Sequence, residues 1–133
     1  MPDRFFTPTE VEALIPTLTE IMGDVMAAQA DATTVRERLR AEQERIALAG
    51  GGLIDRDVWR QGREDLERLG ATIRQRLEDI ARLGGVAKDL GLGLVDFPHR
   101  RGNRVVHLCW KHGEHSIEYW HGLDEGYVNR KPL

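Results

Sequence analysis

Two long heptad stripes separated by a run of glycines constrain the fold more than any other feature. Apolar or small side chains recur every three or four residues from Val11 to Ile46, and again from Trp59 to Leu83. This spacing places them along one side of an α-helix, as in coiled coils. The sequence "AGGG" at 49–52 separates the stripes, and consecutive glycines end helices. We therefore expect a long antiparallel α-helical hairpin that resembles a coiled coil.

The first helical segment is predicted over 7–49. Thr7 is placed to cap it, Pro8 takes the first helical position, and Glu10 completes a capping box. Pro16 removes one backbone donor inside the segment. The pattern therefore leaves two alternatives, one continuous helix or a short helix followed by a long one.

The second helix is predicted over 55–84. Asp55 is expected to cap it, and Ile54 to pack against Trp59 four positions into the helix. Gly84 follows the last apolar position, where glycine commonly ends a helix.

After the helices the hydrophobic period changes from about three and a half residues to two, which is typical of strands. Three such segments are separated by glycine-containing turns: 94–98, 104–111 and 116–121. We expect a three-stranded antiparallel β-meander over 93–122, followed by a C-terminal tail at 123–133. Because three strands are not stable alone in water, the apolar face of this sheet has to meet the helices.

Composition limits what a chain like this can do. Its 133 residues suit a single α+β domain over 1–133, and a net charge of −3 gives no general attraction to nucleic acid or membranes. One cysteine excludes an internal disulfide, and "MPDRFFTPTE" lacks the apolar run of a signal peptide. We expect a cytoplasmic protein that binds neither nucleic acid nor membrane.

Tight turns would collect polar side chains on one face of the meander. That pairing sets Asp96 opposite His107 and Cys109 opposite Glu118, while Trp110 and Trp120 fall on opposite faces. Carboxylate, imidazole and thiol at cross-strand distance form a plausible ligand set for a divalent metal such as zinc or iron. The alternative is an ordinary solvated sheet face, and no metal-binding motif of fixed spacing decides between the two.

Several segments carry a resemblance to a known family. "FFTPTEVEALIPTL", "GLVDFP", "VVHLCWKHGE", "IEYWH" and "GYVNRKPL" resemble an uncharacterised bacterial family, domain of unknown function 2203. The family pattern has a glycine directly before Arg104. This sequence has Asn103 there, and its glycine lies one place earlier, at Gly102. The resemblance implies no activity, ligand or catalytic residue. Its pattern falls on these residues: Gly93, Asp96, Phe97, Arg104, Cys109, Trp110, Gly113, Glu114, Trp120, His121, Gly126, Arg130 and Pro132.

The resemblance adds His121 to the metal candidates and marks further residues as functional candidates. Strict alternation sets His121 on the apolar face, so it joins Cys109 only if a bulge follows Glu118. The further candidates are Arg104, Trp110, Glu114, Trp120 and Arg130.

Two classes of function follow. The heptad stripes favour a small module without catalytic activity that forms a homo-oligomer, a dimer or larger, or binds a protein partner. A stripe this long needs a covering surface. The alternative is a metal- or small-ligand-binding protein, including a hydrolase-like enzyme, that uses the polar sheet face. No nucleophile with a positioned base is visible, which argues against catalysis.

Overall fold

The computed structural model describes residues 4–51 and 55–133, and it has an α+β fold. Helix α1 (Pro8–Leu48) and helix α2 (Arg56–Leu83) precede one antiparallel sheet. Neither helix in the described ranges has an apolar stretch that would span a membrane. The strands, with a 3-10 helix (Tyr127–Asn129) between the last two, are β1 (Val86–Asp89), β2 (Leu94–Arg101), β3 (Arg104–Lys111), β4 (Tyr119–His121) and β5 (Lys131–Pro132).

The ends of α1 confirm the capping prediction. The Thr7 hydroxyl accepts the Glu10 N–H, and the Glu10 carboxylate accepts the Thr7 N–H in return. Pro16 lies inside the helix, which continues through it to Leu48. Of the two alternatives, the structure has the continuous helix.

The ends of α2 are also as expected. The Asp55 carboxylate accepts the N–H groups of Asp57 and Val58. Gly84 ends the helix with φ 98°, a left-handed conformation that favours glycine. The predicted contact of Ile54 falls on a residue outside the described ranges.

The two helices run antiparallel, because positions later in α2 meet positions earlier in α1. A Cβ on Gly62 would touch Leu39, whereas Arg76 forms an ion pair with Asp24. The heptad description fits α1 only in part. Ile15 and Met22 lie outside the predicted stripe but are buried, because the first half of α1 packs against the sheet as well as α2.

Where the two helices extend past the sheet, their described apolar side chains pack against each other. The second apolar cluster consists of helix residues, with Val35 and Leu69 buried in it, and no strand residue belongs to it. We call residues 35–48 of α1 and 56–69 of α2 the arm. At 1.5 Å per residue its helical segments extend about 20 Å.

The sheet has five strands in the order β1-β2-β3-β4-β5, so the prediction of three was wrong. β1 is a four-residue edge strand whose first residue, Val86, is exposed, and β5 has two residues. Strands this short do not show a recognisable alternation. β5 also lies in the segment predicted as a tail.

The pairing of β2 with β3 is shifted by two residues from the predicted one. Arg101 pairs with Arg104 across a tight turn, and Asp96 lies opposite Cys109 instead of His107. A shift of two residues keeps every side chain on its predicted face. The apolar side chains of this pair, which meet the helices, are Val95, Phe97, Val106, Leu108 and Trp110.

The pairing of β3 with β4 differs by one residue, which exchanges the faces of β4. Leu108 lies opposite Trp120, and His107 lies opposite His121. Ile117 and Trp120 both belong to the core although they are three residues apart, so the two-residue alternation breaks between them. Trp120 therefore shares the helix-facing side with Trp110, contrary to the sequence prediction.

Candidate metal centre

The face of the sheet turned away from the helices brings three potential ligands together. Asp96 lies in β2, His107 in β3 and His121 in β4. Their potential ligand atoms lie within 4.8 Å of one another. Because β3 separates β2 from β4, the side chains of Asp96 and His121 converge above the middle strand.

The distances suit one small cation. Nε2 of His121 is 3.0 Å from Oδ2 of Asp96, and Nδ1 of His107 is 3.6 Å from the same oxygen. Two atoms that bind one ion at 2.0–2.2 Å lie roughly 2.8–3.6 Å apart in octahedral or tetrahedral geometry. Both contacts with Asp96 fall in that range, and all three ligand atoms lie within 4.8 Å of one another.

His121 forms a hydrogen bond on the side of its ring that points away from Asp96. This bond determines which ring nitrogen faces the Asp96 carboxylate. Nδ1 lies 2.8 Å from the carbonyl oxygen of Gly122, and a carbonyl only accepts, so Nδ1 carries the proton. A neutral His121 therefore presents the lone pair of Nε2 to the Asp96 carboxylate. Two electron pairs at 3.0 Å repel each other unless a proton or a metal cation lies between them.

Two further atoms of the cluster are buried without a hydrogen bond. Oδ1 of Asp96 and Nδ1 of His107 have no hydrogen-bond partner among the described residues. The Asp96 and His121 residues are each only 2% exposed. Buried polar atoms in folded proteins are nearly always satisfied, so this pair of atoms fits a site that binds a ligand.

His107 is the most accessible member of the cluster, with 17% of its side chain exposed. Burial lowers the pKa of its imidazole, and the nearby Asp96 carboxylate opposes that shift only in part. The ring is therefore favoured in the neutral form, which is the form that binds metals.

Cys109 adjoins the cluster without joining it. It is buried opposite Asp96, and burial together with the Asp96 charge raises the pKa of its thiol to about 12. The guanidinium of Arg130 acts in the opposite direction but does not outweigh burial. The thiol is thus protonated and inert unless a cation approaches it.

The C-terminal segment covers this face and is anchored by Arg130. Nη1 of Arg130 donates to both carboxylate oxygens of Glu114, at 3.1 and 3.0 Å. The guanidinium lies between the rings of Tyr119 and Tyr127, 4.2 and 4.4 Å from their centroids. These contacts cover part of a sheet face that has no helix packed on it.

The remaining sequence candidates lie elsewhere. Glu118 is exposed and is not part of the cluster, so its predicted position opposite Cys109 is wrong. Trp110 is a core residue whose Nε1 donates to the Glu114 carbonyl. Trp120 is in the same core, and Arg104 is exposed on the helix-facing side of the sheet.

Three residues that support the centre were not found from the sequence. Glu12 in α1 accepts the Ile117 N–H at 3.0 Å and so holds the segment where the strand alternation breaks. Tyr119 and Tyr127 clamp Arg130. In the sequence Tyr127 stands three residues before Arg130, but this spacing does not correspond to a known motif.

An aspartate and two histidines have the donor chemistry of divalent first-row metals. Nitrogen and oxygen donors suit zinc, and the combination of two histidines with one carboxylate is also the ligand set of non-haem iron(II) sites. Three protein ligands leave at least one coordination position free, which water or a fourth group then takes.

Comparison with known proteins adds a family but no activity. The chain matches no curated protein and no solved structure. The family model described as "Uncharacterized conserved protein (DUF2203)" matches residues 4–133, nearly the whole chain. The chain therefore belongs to the DUF2203 family.

Proposed function

We propose that this protein binds a divalent transition-metal ion, zinc or iron(II), through Asp96, His107 and His121. The observation that carries the proposal is the orientation of His121. Its Nδ1 proton is committed to the Gly122 carbonyl, so Nε2 faces the buried Asp96 carboxylate at 3.0 Å, a contact that needs a proton or a metal cation between the two atoms. A metal ion satisfies both atoms at once, together with Nδ1 of His107.

The site favours binding over turnover. Asp96 and His121 are each only 2% exposed, and the raised pKa of Cys109 keeps its thiol protonated. A substrate would have to reach the metal past His107. We therefore propose metal binding and do not propose a reaction at this site.

The test is a titration of chelator-treated protein with zinc and, anaerobically, with iron(II), followed by calorimetry. Asp96→Asn, His107→Ala and His121→Ala are each expected to weaken binding at least ~100-fold, since loss of a supporting residue alone costs 10–100-fold. Glu118→Gln and His115→Ala remove an exposed carboxylate and an exposed imidazole nearby and should leave affinity unchanged.

Circular dichroism of each variant separates loss of ligand from loss of fold. His107→Ala matters most here, because its side chain is the least buried of the three. Wild-type protein that binds neither metal, or variants that bind as tightly as wild type while folded, would contradict the proposal.

A second candidate function is self-association through the arm. Leu48 is 90% exposed at its end, and the apolar side chains of Leu39 and Leu66 are only partly buried between the two helices. A second copy of the chain offers the same heptad-spaced surface, so the occupant we propose is a homodimer partner.

A further inference from the structure

The turn between β2 and β3 carries two exposed arginines, Arg101 and Arg104. Six arginines of the helices lie within 4.0 Å of an acidic oxygen: Arg40, Arg45, Arg60, Arg68, Arg76 and Arg82. Arg101 and Arg104 are exposed and have no such partner in the part of the chain that the structure describes.

These two guanidinium groups are held together. Arg101 and Arg104 are direct cross-strand partners, and like charges in that position destabilise a sheet. Their Cζ atoms lie 4.7 and 5.9 Å from the ring centroid of Trp120. Nζ of Lys131 lies 4.9 Å from the same centroid. One buried indole therefore contacts three cations on the helix-facing side, away from the candidate metal centre.

The acidic groups nearby are largely engaged by other residues. Glu125 accepts Nζ of Lys131 at 2.6 Å and the Gly122 N–H at 2.7 Å. Asp124 and the guanidinium of Arg104 both come close to Gly122, but they do not form an ion pair at 4.0 Å or less. Besides Lys131, the charge of Arg104 also attracts Glu125 and contributes to the lowered pKa of that carboxyl. Arg101 has no acidic oxygen within 4.0 Å among the described residues, so the pair keeps part of its positive charge for a ligand.

We propose that Arg101 and Arg104 bind the phosphate group of a small molecule. A phosphate monoester carries about −1.5 to −2 charges at neutral pH, which matches two guanidinium groups, and each guanidinium can donate two parallel hydrogen bonds to its oxygens. Such a ligand would remove the repulsion between the two arginines. This site is independent of the proposed metal.

A small phosphate fits better than a nucleic acid. Trp120 is 9% exposed, so its ring is not available to stack on a base, and the chain as a whole carries a net charge of −3. A net negative charge also disfavours a long polyphosphate backbone more than a single phosphate group.

The experiment follows the Trp120 indole N–H signal by NMR during titration with inorganic phosphate at constant ionic strength. We expect a saturable shift with phosphate and a much weaker one with acetate, a monoanion. Arg101→Gln combined with Arg104→Gln should weaken phosphate binding at least ~10-fold. Arg60→Gln combined with Arg63→Gln removes the same charge from α2 and should leave binding unchanged.

Three results would overturn the proposal. The first is a shift that does not saturate, or that acetate reproduces at the same concentration. The second is an equal loss of binding in the two double variants, which would indicate a general charge effect. The third is binding of a single-stranded oligonucleotide without binding of phosphate, which would make the turn a nucleic-acid contact.

Discussion

At the scale of single residues, the candidate centre depends on one hydrogen bond and one strand register. The bond from Nδ1 of His121 to the Gly122 carbonyl determines which nitrogen faces Asp96. The register that sets His107 opposite His121 determines that the two imidazoles meet, with ring centroids 5.4 Å apart. With only one of these two features, the three side chains would not present ligand atoms to a common point.

The Cys109 thiol provides a prediction at this scale. Burial first, and the Asp96 charge second, raise its pKa to about 12, so at pH 8 its thiolate fraction should be about a thousandfold below that of an unfolded chain. We expect a disulfide reagent to react with native protein at least ~100-fold more slowly than with denatured protein. The chain has one cysteine, so Cys109→Ser gives the background rate. Equal rates in the two states would show that the thiol is exposed.

At the scale of secondary-structure elements, the sequence predicted the helices better than the sheet. Helix ends are local: Thr7 with Glu10, and Gly84, each act within a few residues. Strand register is not local. The register of β4 depends on Glu12, more than a hundred residues earlier, which accepts the Ile117 N–H.

The candidate site was predictable to the same extent. Asp96, His107 and Cys109 were placed on one face, because a two-residue register error does not change faces. Glu118 was assigned wrongly and His121 was conditional on a bulge, because a one-residue change exchanges the faces of β4. No residue pattern in 116–121 reveals that change.

The end of α2 can be tested with one substitution. Gly84 has φ 98°, and a Cβ there would lie 2.3 Å from Cζ of Phe6, a buried core residue. Gly84→Ala should therefore lower the free energy of unfolding by about 1–3 kcal/mol, from backbone strain and overpacking. Chemical denaturation measures this. Gly126→Ala, with no atom within 4 Å of the added Cβ and a φ of −135°, is the control and should change stability little. Two variants of equal stability would contradict the described packing.

The C-terminal segment can be tested through its anchor. Arg130→Gln removes the ion pair with Glu114 and weakens the stacking between Tyr119 and Tyr127. We expect a loss of about 1.5–3 kcal/mol, typical of hydrogen bonds to a charged group that is partly buried.

Arg82→Gln is the matched control for Arg130→Gln. Arg82 forms exposed ion pairs with Glu78 and Asp79, and such pairs contribute at most about 1 kcal/mol. Similar losses of stability in the two variants would show that Arg130 does not anchor the C-terminal segment.

At the scale of the whole molecule, the protein combines an antiparallel helical hairpin with a five-stranded sheet. The helices cover one face of the sheet, and the C-terminal segment packs against Tyr119 and Glu114 on the other side through Arg130. The arm extends past the sheet and the C-terminal segment. We therefore separate the proposed metal centre from the proposed self-association surface.

Self-association predicts a dimer or larger oligomer in solution. Light scattering at micromolar concentration should give at least twice the chain mass of 15.1 kDa. Ile46→Lys combined with Leu48→Lys should lower the mass to that of the monomer without loss of helicity, because both side chains are at least partly exposed. A wild-type mass of 15.1 kDa would contradict the dimer and leave the metal proposal intact.

The most direct test of the metal centre is the position of the metal itself. Crystals of the protein grown with zinc should show an anomalous scattering peak at roughly 2.0–2.2 Å from Nε2 of His121, Nδ1 of His107 and a carboxylate oxygen of Asp96. Crystals of His121→Ala grown in the same way should lack that peak. A zinc-saturated crystal in which His121 and Asp96 remain 3.0 Å apart with no anomalous peak between them would contradict the account.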